Sequence, residues 1–385
     1  MIKNIKAITA SSYLSMLFLG VAATLIGAAA RNIGLSPYQI GLMITFQNLG
    51  FMLSVMVSGA LADSYQKPKI LLIGSLILSV AFLSFYLTEI FNVNLAIMFM
   101  IGVGIGTYEG VTDAMLVDIH PQEESLHINI NHFFVTFGAI LITIYLIFLQ
   151  MDWRNAVVQS GFLVLLLAVI FGLTKLKAKK KPSEPYLSRM RILTQDKVVV
   201  AFFIATALVV GVEAGSIGIL TTYLMDMREF NQVTSKIGLI LFLSGMAIGR
   251  IIIGYLTPRD KITQTLLILF GSSVLVYSGL YFIDIGNLTY VAIFLAGLSI
   301  SALLPLMLTQ ASLLYHEIAG TVMGSIKVAI PLGGILIPFL MSVLVNYVGF
   351  QFSLIVFPLS LLLAFFLIYL TSPSMTNSKR SPAAE

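Results

Sequence analysis

The chain has 385 residues, of which 58% are hydrophobic and only 10% are charged, and its mean hydropathy is +0.99. About a quarter of the residues of a soluble globular protein are charged, so this composition excludes a soluble protein. The net charge of +5 raises the question of anionic partners, and the absence of cysteine excludes disulfides and thiolate chemistry.

Apolar stretches of membrane-spanning length repeat along the whole chain. A helix that crosses a bilayer needs about 20 mostly apolar residues, and such runs predict twelve helices, called segments 1 to 12. They lie near residues 8–30, 38–61, 69–88, 94–117, 128–150, 155–174, 197–224, 235–256, 263–283, 288–312, 320–346 and 350–371. We therefore expect an all-α membrane protein with both termini on the same side.

The basic residues indicate which side that is. Sixteen lysines and arginines lie on the side of the termini, eight of them between Lys175 and Lys197. The opposite loops hold four, namely Arg31, Arg154, Arg228 and Lys236. Because cytoplasmic loops carry the excess of basic residues, we expect both termini in the cytoplasm. The positive charge is then mostly a topology signal, and no nucleic-acid partner is predicted.

A basic, proline-containing break divides the segments into two sets of six. We predict an N-terminal six-helix bundle over residues 1–174, a cytoplasmic linker over 175–196, a C-terminal six-helix bundle over 197–372 and a cytoplasmic tail over 373–385. Gly50 and Gly59 in segment 2 recur as Gly245 and Gly254 in segment 8, each 195 residues later. This recurrence favours a duplicated bundle, an architecture that places a transporter's site at the repeat interface.

The connection between segments 2 and 3 carries a recognisable motif, Gly59-Ala-Leu-Ala-Asp63 followed by Lys67 and Lys69. It resembles the cytoplasmic signature of the major facilitator superfamily, although Ser64 and Gln66 replace the family's arginine and second glycine. Segment 8 carries the partner form, Gly249-Arg250 and then Gly254. The resemblance implies two pseudo-symmetric six-helix bundles, with a cytoplasmic gate at Gly59, Asp63, Gly249, Arg250 and Gly254.

Segments 4 and 5 carry a narrower resemblance. Gly104-Ile-Gly106-Thr-Tyr-Glu109 in segment 4, and a segment 5 that begins at Asn129-Ile-Asn131-His132 and continues to Phe-Gly-Ala, resemble the fucose:proton symporter branch of the superfamily. This implies proton-coupled transport of a sugar. The chain departs from that branch in segment 1, which has no carboxylate, and at His132, where the branch has an amide that faces the sugar.

Charged residues inside predicted helices are candidates for function, because a charge at the centre of a membrane helix costs about 2.5–3.5 kcal/mol on insertion scales. Glu109 lies near the middle of segment 4, and Asp113 lies one turn further on the same face. Two desolvated carboxylates at this spacing favour retention of a proton by at least one of them. Glu213 in segment 7 would face Glu109 across the cavity, as the resemblance implies. We predict Glu109, Asp113 and Glu213 as proton-coupling residues; the alternative is structural ion pairs.

Two basic residues also lie within predicted helices. Arg250 belongs to the gate by its place in the signature. Lys327 lies in segment 11 beside Gly324 and Pro331. Three alternatives remain for its side chain: it binds an anionic substrate, it neutralises a carboxylate, or it extends to the membrane surface.

Polar and aromatic side chains supply candidates for a sugar-sized site. The predicted substrate-binding residues are Gln47, Asn48, Tyr108, Glu109, Asn131, His132, Glu213, Tyr223, Gln310 and Lys327. No histidine spacing suits a zinc site and no phosphate-binding loop occurs, so we predict no metal, no catalytic residues and no use of ATP.

The sequence thus predicts a secondary active transporter of the plasma membrane and not an enzyme. It would move a small polar solute, sugar-like by resemblance, by alternating access driven by a proton gradient, as a monomer in the lipid bilayer and without a cofactor. Sodium is the alternative coupling ion. The alternative functions are a proton-antiporting exporter of drugs or amphiphiles, a transporter of small organic anions that uses Lys327 and Arg250, and a non-transporting sensor or lipid scramblase.

Overall fold

The computed structural model describes residues 4–34, 37–148, 153–176 and 194–376. Its α-helices, numbered in chain order, are α1 (Ile5–Ile33), α2 (Pro37–Ala62), α3 (Lys67–Ser84), α4 (Phe91–Ile119), α5 (Glu124–Phe148), α6 (Trp153–Leu173), α7 (Lys197–Arg228), α8 (Gln232–Leu256), α9 (Ile262–Phe282), α10 (Thr289–Ile300), α11 (Leu303–Leu314), α12 (Ala319–Lys327), α13 (Ala329–Ser353) and α14 (Val356–Thr376). Twelve helical stretches of this described chain are long and apolar enough to cross a membrane. The prediction of twelve membrane-spanning helices is confirmed.

Segments 10 and 11 are each broken into two helices, which the hydrophobic pattern did not predict. The first break follows Ile300 and the second follows Lys327. Pro305 lies four residues after Ser301, and Pro331 lies four residues after Lys327. Proline has no N–H group and crowds the carbonyl four residues before it, so each helix is interrupted at that carbonyl.

The end of segment 11 also differs from the prediction. The helix α13 contains a kink at Gly349, whose φ of 78° and ψ of 168° are left-handed and favour glycine. It then continues to Ser353, and α14 begins only at Val356. Gly349 therefore interrupts the helix close to the boundary predicted between segments 11 and 12, and the last membrane-spanning helix begins at Val356, six residues after the start predicted near residue 350.

The described residues form two compact units. Unit 1 takes its residues from Met1–Pro121, Ile130–Met190 and His316–Lys327. Unit 2 takes its residues from Gln122–Asn129, Arg191–Tyr315 and Val328–Glu385. Most of the predicted linker, at 177–193, and most of the predicted tail, at 377–385, lie outside the described residues.

Helix α4 is the centre of unit 1. Every residue from Gly104 to Val117 is buried, so this part of the helix is covered on all sides. Helices α1, α2, α3 and α12 pack against it. A helix enclosed in this way must find partners inside the protein for any polar side chain it carries.

Units 1 and 2 each contain a close helix contact at equivalent positions. In unit 1 a methyl group on Gly50 of α2 would overlap the carbonyl oxygen of Phe99 on α4. In unit 2 a methyl group on Gly245 of α8 would overlap the carbonyl oxygen of Phe294 on α10. Both partners of the second contact lie 195 residues after those of the first. The glycine recurrence seen in the sequence thus corresponds to a repeated packing contact.

Candidate functional site

Four ionisable side chains meet inside unit 1. Glu109 and Asp113 extend from α4, His132 from α5 and Lys327 from the end of α12. Their exposed fractions are 4%, 1%, 5% and 1%, respectively. The structure therefore brings together two predicted proton-coupling residues, Glu109 and Asp113, and three predicted substrate-binding residues, Glu109, His132 and Lys327. We call these four residues the charge cluster.

The Lys327 ammonium contacts three oxygen atoms of α4. Its Nζ lies 2.6 Å from Oδ2 of Asp113 and 2.8 Å from Oε1 of Glu109, and it also donates to the main-chain carbonyl of Glu109. An ammonium group has three N–H donors, and here three acceptors surround it. Of the alternatives for Lys327, neutralisation of carboxylates is the one the geometry supports, and extension to the membrane surface is wrong because the side chain is buried.

Both carboxylate oxygens of Asp113 have partners. His132 Nε2 lies 3.0 Å from Oδ2, the same oxygen that Lys327 contacts. Asn131 donates from Nδ2 to Oδ1 at 2.7 Å. Charge-assisted hydrogen bonds of this kind stabilise the ionised form of a carboxylate. Asp113 therefore has the environment of a fixed anion.

Two hydroxyl groups that the sequence did not single out support Asn131. Its Nδ2 also donates to Thr112 Oγ1 at 2.9 Å, and Ser12 of α1 donates to its Oδ1 at 3.3 Å. These contacts orient the amide toward Asp113. Single hydroxyls are common in membrane helices, so nothing in the sequence distinguished Ser12 or Thr112 from the rest.

Glu109 is held less completely than Asp113. Its Oε1 lies 2.8 Å from Lys327 Nζ and 3.9 Å from His132 Nε2. The cluster thus contains two carboxylates and one ammonium, which leave one net negative charge while the imidazole is neutral. One added proton makes the cluster neutral.

The cluster also contains a set of metal-ligand groups. Glu109, Asp113 and His132 each offer one ligand atom, and these atoms lie within 4.8 Å of one another. The ammonium of Lys327 already contacts both carboxylates, so positive charge at this point is supplied by the protein. Nearer the α4–α5 connection, His120, Glu123 and His127 form a second such set, which is partly exposed.

A second ion pair lies in unit 2. Arg250 Nη2 of α8 lies 3.3 Å from Glu213 Oε1 of α7, with the two side chains 5% and 21% exposed. Arg250 Nε donates at 3.2 Å to the carbonyl of Ser301, which is the carbonyl that Pro305 deprives of its helical partner. Glu213 therefore forms an ion pair, which is the alternative to proton coupling, and a coupling role for Glu213 stays a prediction.

The predicted gate residue Asp63 caps a helix. Its Oδ1 accepts from the N–H of Gly320 at 2.8 Å, and its Oδ2 accepts from the N–H of Thr321 at 2.8 Å and from the Thr321 hydroxyl. These residues form the first turn of α12, where N–H groups lack helical partners and a negative charge is stabilising. Burial raises the pKa of Asp63, and the hydrogen bonds from Thr321 and Gly320 oppose that rise.

The predicted gate glycines mark close helix contacts. A methyl group on Gly59 would lie 2.7 Å from the carbonyl oxygen of Gly320, so α2 and α12 touch through their backbones. In unit 2, a methyl group on Gly249 would lie 2.9 Å from the carbonyl oxygen of Leu298, and one on Gly254 would lie 2.6 Å from Cβ of Asn129 at the start of α5.

The remaining predicted substrate-binding side chains are not part of the charge cluster. Four of them bond to other residues of their own unit: Gln47 to the Ala22 carbonyl at 2.9 Å, Tyr108 to the Ser75 hydroxyl at 2.7 Å, Tyr223 to the Leu280 carbonyl at 2.6 Å, and Gln310 to the Met375 carbonyl at 3.4 Å. Asn48 is partly exposed on α2. These contacts link helices, and substrate contact by these five residues stays a prediction.

Comparison with known sequences gives a family model and a relative that match most of this chain. The family model of the Major Facilitator Superfamily matches residues 8–330. A glucose/mannose transporter of Bacillus subtilis (strain 168) is 24% identical over 321 residues, which cover 79% of this chain and 78% of the relative.

Solved structures show the same fold. The fucose:proton symporter of E. coli superposes with a TM-score of 0.74 at 18% identity, over 94% of this chain and 98% of that one. A human organic anion transporter superposes with a TM-score of 0.71 at 15% identity, over 95% of this chain and all of that one. The resemblance to the fucose symporter is confirmed at the level of the fold.

Proposed function

The chain belongs to the major facilitator superfamily, and from this premise we propose that it transports a sugar together with a proton by alternating access. It is a multi-pass membrane protein. The single observation that carries the proposal is the charge cluster of Glu109, Asp113, His132 and Lys327.

A sugar is supported by the relatives. The B. subtilis relative is a glucose/mannose transporter, and the E. coli protein of similar fold is a fucose:proton symporter. The fold itself does not choose between solutes, because an organic anion transporter shares it. The choice between a neutral solute and an anion must come from the side chains.

The buried basic residues favour a neutral solute. Lys327 has all three N–H groups directed at oxygens of Glu109 and Asp113. Arg250 contacts the carboxylate of Glu213 and the carbonyl of Ser301. Both positive charges are compensated by carboxylates of the chain, so neither gives an anion the uncompensated charge that the anion-transport alternative requires.

Proton coupling is supported by the charge count of the cluster. An uncompensated charge inside a membrane protein is costly, so the net negative charge favours uptake of one proton. Asp113 has partners on both oxygens, whereas Glu109 has Lys327 at 2.8 Å and the more distant His132. Glu109 is therefore the carboxylate that we assign to carry the proton, and its protonation would make the cluster neutral while the solute is bound.

The gate assignment rests on the contact between α2 and α12. Asp63 holds the first turn of α12, and Gly59 lets the two backbones touch. Because sixteen of the basic residues lie on the side of the termini, we assign this side to the cytoplasm and the protein to the plasma membrane. The contact would then close the cytoplasmic end of the pathway and open when α12 moves away.

The proposal is tested with purified protein in liposomes. D-glucose, D-mannose, L-fucose and D-xylose are offered with and without an inward proton gradient, and with a protonophore as the control. We expect at least one of these sugars to be accumulated only when the gradient is present. Uptake that never exceeds equilibration, or that is unchanged by the protonophore, would contradict the coupling to protons.

A further inference from the structure

Lys327 lies at the break between two helices, α12 and α13. It is the last residue of α12, and the break that follows it lies four residues before Pro331. Although it comes from the second half of the sequence, its ammonium is enclosed in unit 1, is 1% exposed and contacts oxygens of Glu109 and Asp113 on α4. A lysine enclosed between two carboxylates occupies a place that an external cation could otherwise take.

We propose that the Lys327 ammonium permanently occupies one of two cation-binding positions in the charge cluster, and so sets the coupling at one proton per sugar. The inference rests on the proposed function, and it adds what determines the number of coupling ions. Two carboxylates define two places for positive charge. The ammonium fills one place permanently, and the transported proton fills the other by binding to the Glu109 carboxylate.

The charge count covers the described side chains of the helices that pack around the cluster. Helix α4 contributes Glu109 and Asp113, and α5 contributes His132. Helix α2 carries no charged residue between Pro37 and Ala62. Two other carboxylates near these helices have partners outside the cluster. Asp63 binds the first turn of α12, and the Asp118 carboxylate on α4 is paired with Lys67 at 2.6 Å. Lys6 of α1 is exposed at the start of its helix.

His132 and Lys327 occupy equivalent positions of the two sequence halves, 195 residues apart. Their nitrogens lie 3.0 and 2.6 Å from the same oxygen of Asp113. The duplicated chain thus supplies one permanently charged and one titratable nitrogen at matching positions. Asp113 pairs with the permanent charge, and the Glu109 carboxylate, with His132 3.9 Å away, remains for the proton.

The test is the pH dependence of D-glucose binding by four proteins in detergent: wild type, Asp113→Asn, Lys327→Met and the double variant. By linkage, each proton taken up with the sugar weakens binding by about tenfold per unit of rising pH once the cluster is deprotonated. For the wild type and for the double variant, we expect D-glucose binding to weaken about tenfold for each unit of rising pH. Binding by Asp113→Asn should not depend on pH, and binding by Lys327→Met should weaken by a factor that approaches about a hundredfold per pH unit.

A matched pair that joins α3 to α4 is the control. Lys67→Met and Asp118→Asn remove a lysine–carboxylate pair with the same 2.6 Å separation. These variants should keep the wild-type pH slope, whatever their transport rates. If they change the slope as the cluster variants do, the effect is not specific to Lys327 and the inference is overturned.

A sugar-free readout covers the case in which D-glucose is not the substrate. The melting temperature of Lys327→Met should fall as pH rises, because two buried carboxylates then ionise without a counter-charge, and the double variant, which keeps only the Glu109 carboxylate, should show a smaller fall. A wild-type slope of zero would contradict the proposed function. Two results would overturn the inference about Lys327 alone. One is a tenfold pH dependence of D-glucose binding in the wild type that is unchanged in Asp113→Asn and Lys327→Met. The other is a Lys327→Met protein whose melting temperature does not depend on pH.

Discussion

The Lys327 ammonium and the Asp113 carboxylate lie 2.6 Å apart, and each side chain is only 1% exposed. Burying two charges costs free energy that their attraction alone repays only in good geometry, and removing one partner of such a pair costs about 3–5 kcal/mol. The pair is stable here because Asn131 and His132 satisfy the remaining positions around Asp113. The same geometry leaves Glu109 as the group whose protonation can change.

The contact between α2 and α12 predicts an effect of a single methyl group. Gly59→Ala places its Cβ 2.7 Å from the carbonyl oxygen of Gly320, and backbone atoms cannot move aside as a flexible side chain can. We expect a loss of about 1–3 kcal/mol in the free energy of unfolding, as for other overpacked sites. Gly218→Ala is the control, since nothing lies within 4 Å of its Cβ. Equal thermal stability of the two variants in detergent would contradict the close contact.

The cap on α12 predicts a second effect. Asp63→Ala removes the acceptor of the Gly320 and Thr321 N–H groups, and leaving such buried donors without a partner costs about 1–3 kcal/mol. Asp63→Asn should lose less, because asparagine also caps helix N-termini well. The matched control is Asp260→Ala, which removes an exposed loop aspartate. A thermal melt in which Asp63→Ala and Asp260→Ala coincide would show that Asp63 does not hold α12.

The ion pair in unit 2 predicts unequal effects of its two partners. Arg250→Met should destabilise more than Glu213→Gln, because it also leaves the Ser301 carbonyl without its Arg250 hydrogen bond. Since Glu213 is 21% exposed, solvent screens the pair, and we expect a coupling energy of about 1 kcal/mol or less in a double-mutant cycle. The cycle is measured by chemical unfolding in detergent. A larger loss for Glu213→Gln than for Arg250→Met would contradict this reading.

The helices and the two carboxylates of α4 could be predicted from the sequence. Membrane helices must be long and apolar, so the hydrophobic runs locate them, and any charge within them is conspicuous. Glu109 and Asp113 were found in this way. The breaks at Ser301 and Lys327 do not show in the hydrophobic pattern, but Pro305 and Pro331, which lie four residues further on, indicate them.

The partners of the carboxylates could not be predicted. Lys327 lies 214 residues from Asp113 in the chain, and no local sequence pattern predicts which helices pack together when they are so far apart in sequence. The same limit applies to Gln47 and Tyr108, whose bonds to Ala22 and Ser75 depend on which face of each helix is covered. Hydropathy has no strong period in fully enclosed helices such as α4, so it cannot assign their faces.

The most direct test of the account is the comparison of wild type, Glu109→Gln and Glu123→Gln in liposomes, with the sugar that the wild type accumulates. Gradient-driven accumulation and sugar exchange at equal pH are measured side by side. Glu109→Gln should keep exchange, because a neutral side chain mimics the protonated cluster, and should lose accumulation. Glu123→Gln changes a carboxylate that is 65% exposed and should keep both. Accumulation by Glu109→Gln at the wild-type level, with the same dependence on the proton gradient, would contradict the assignment of Glu109 as the proton carrier.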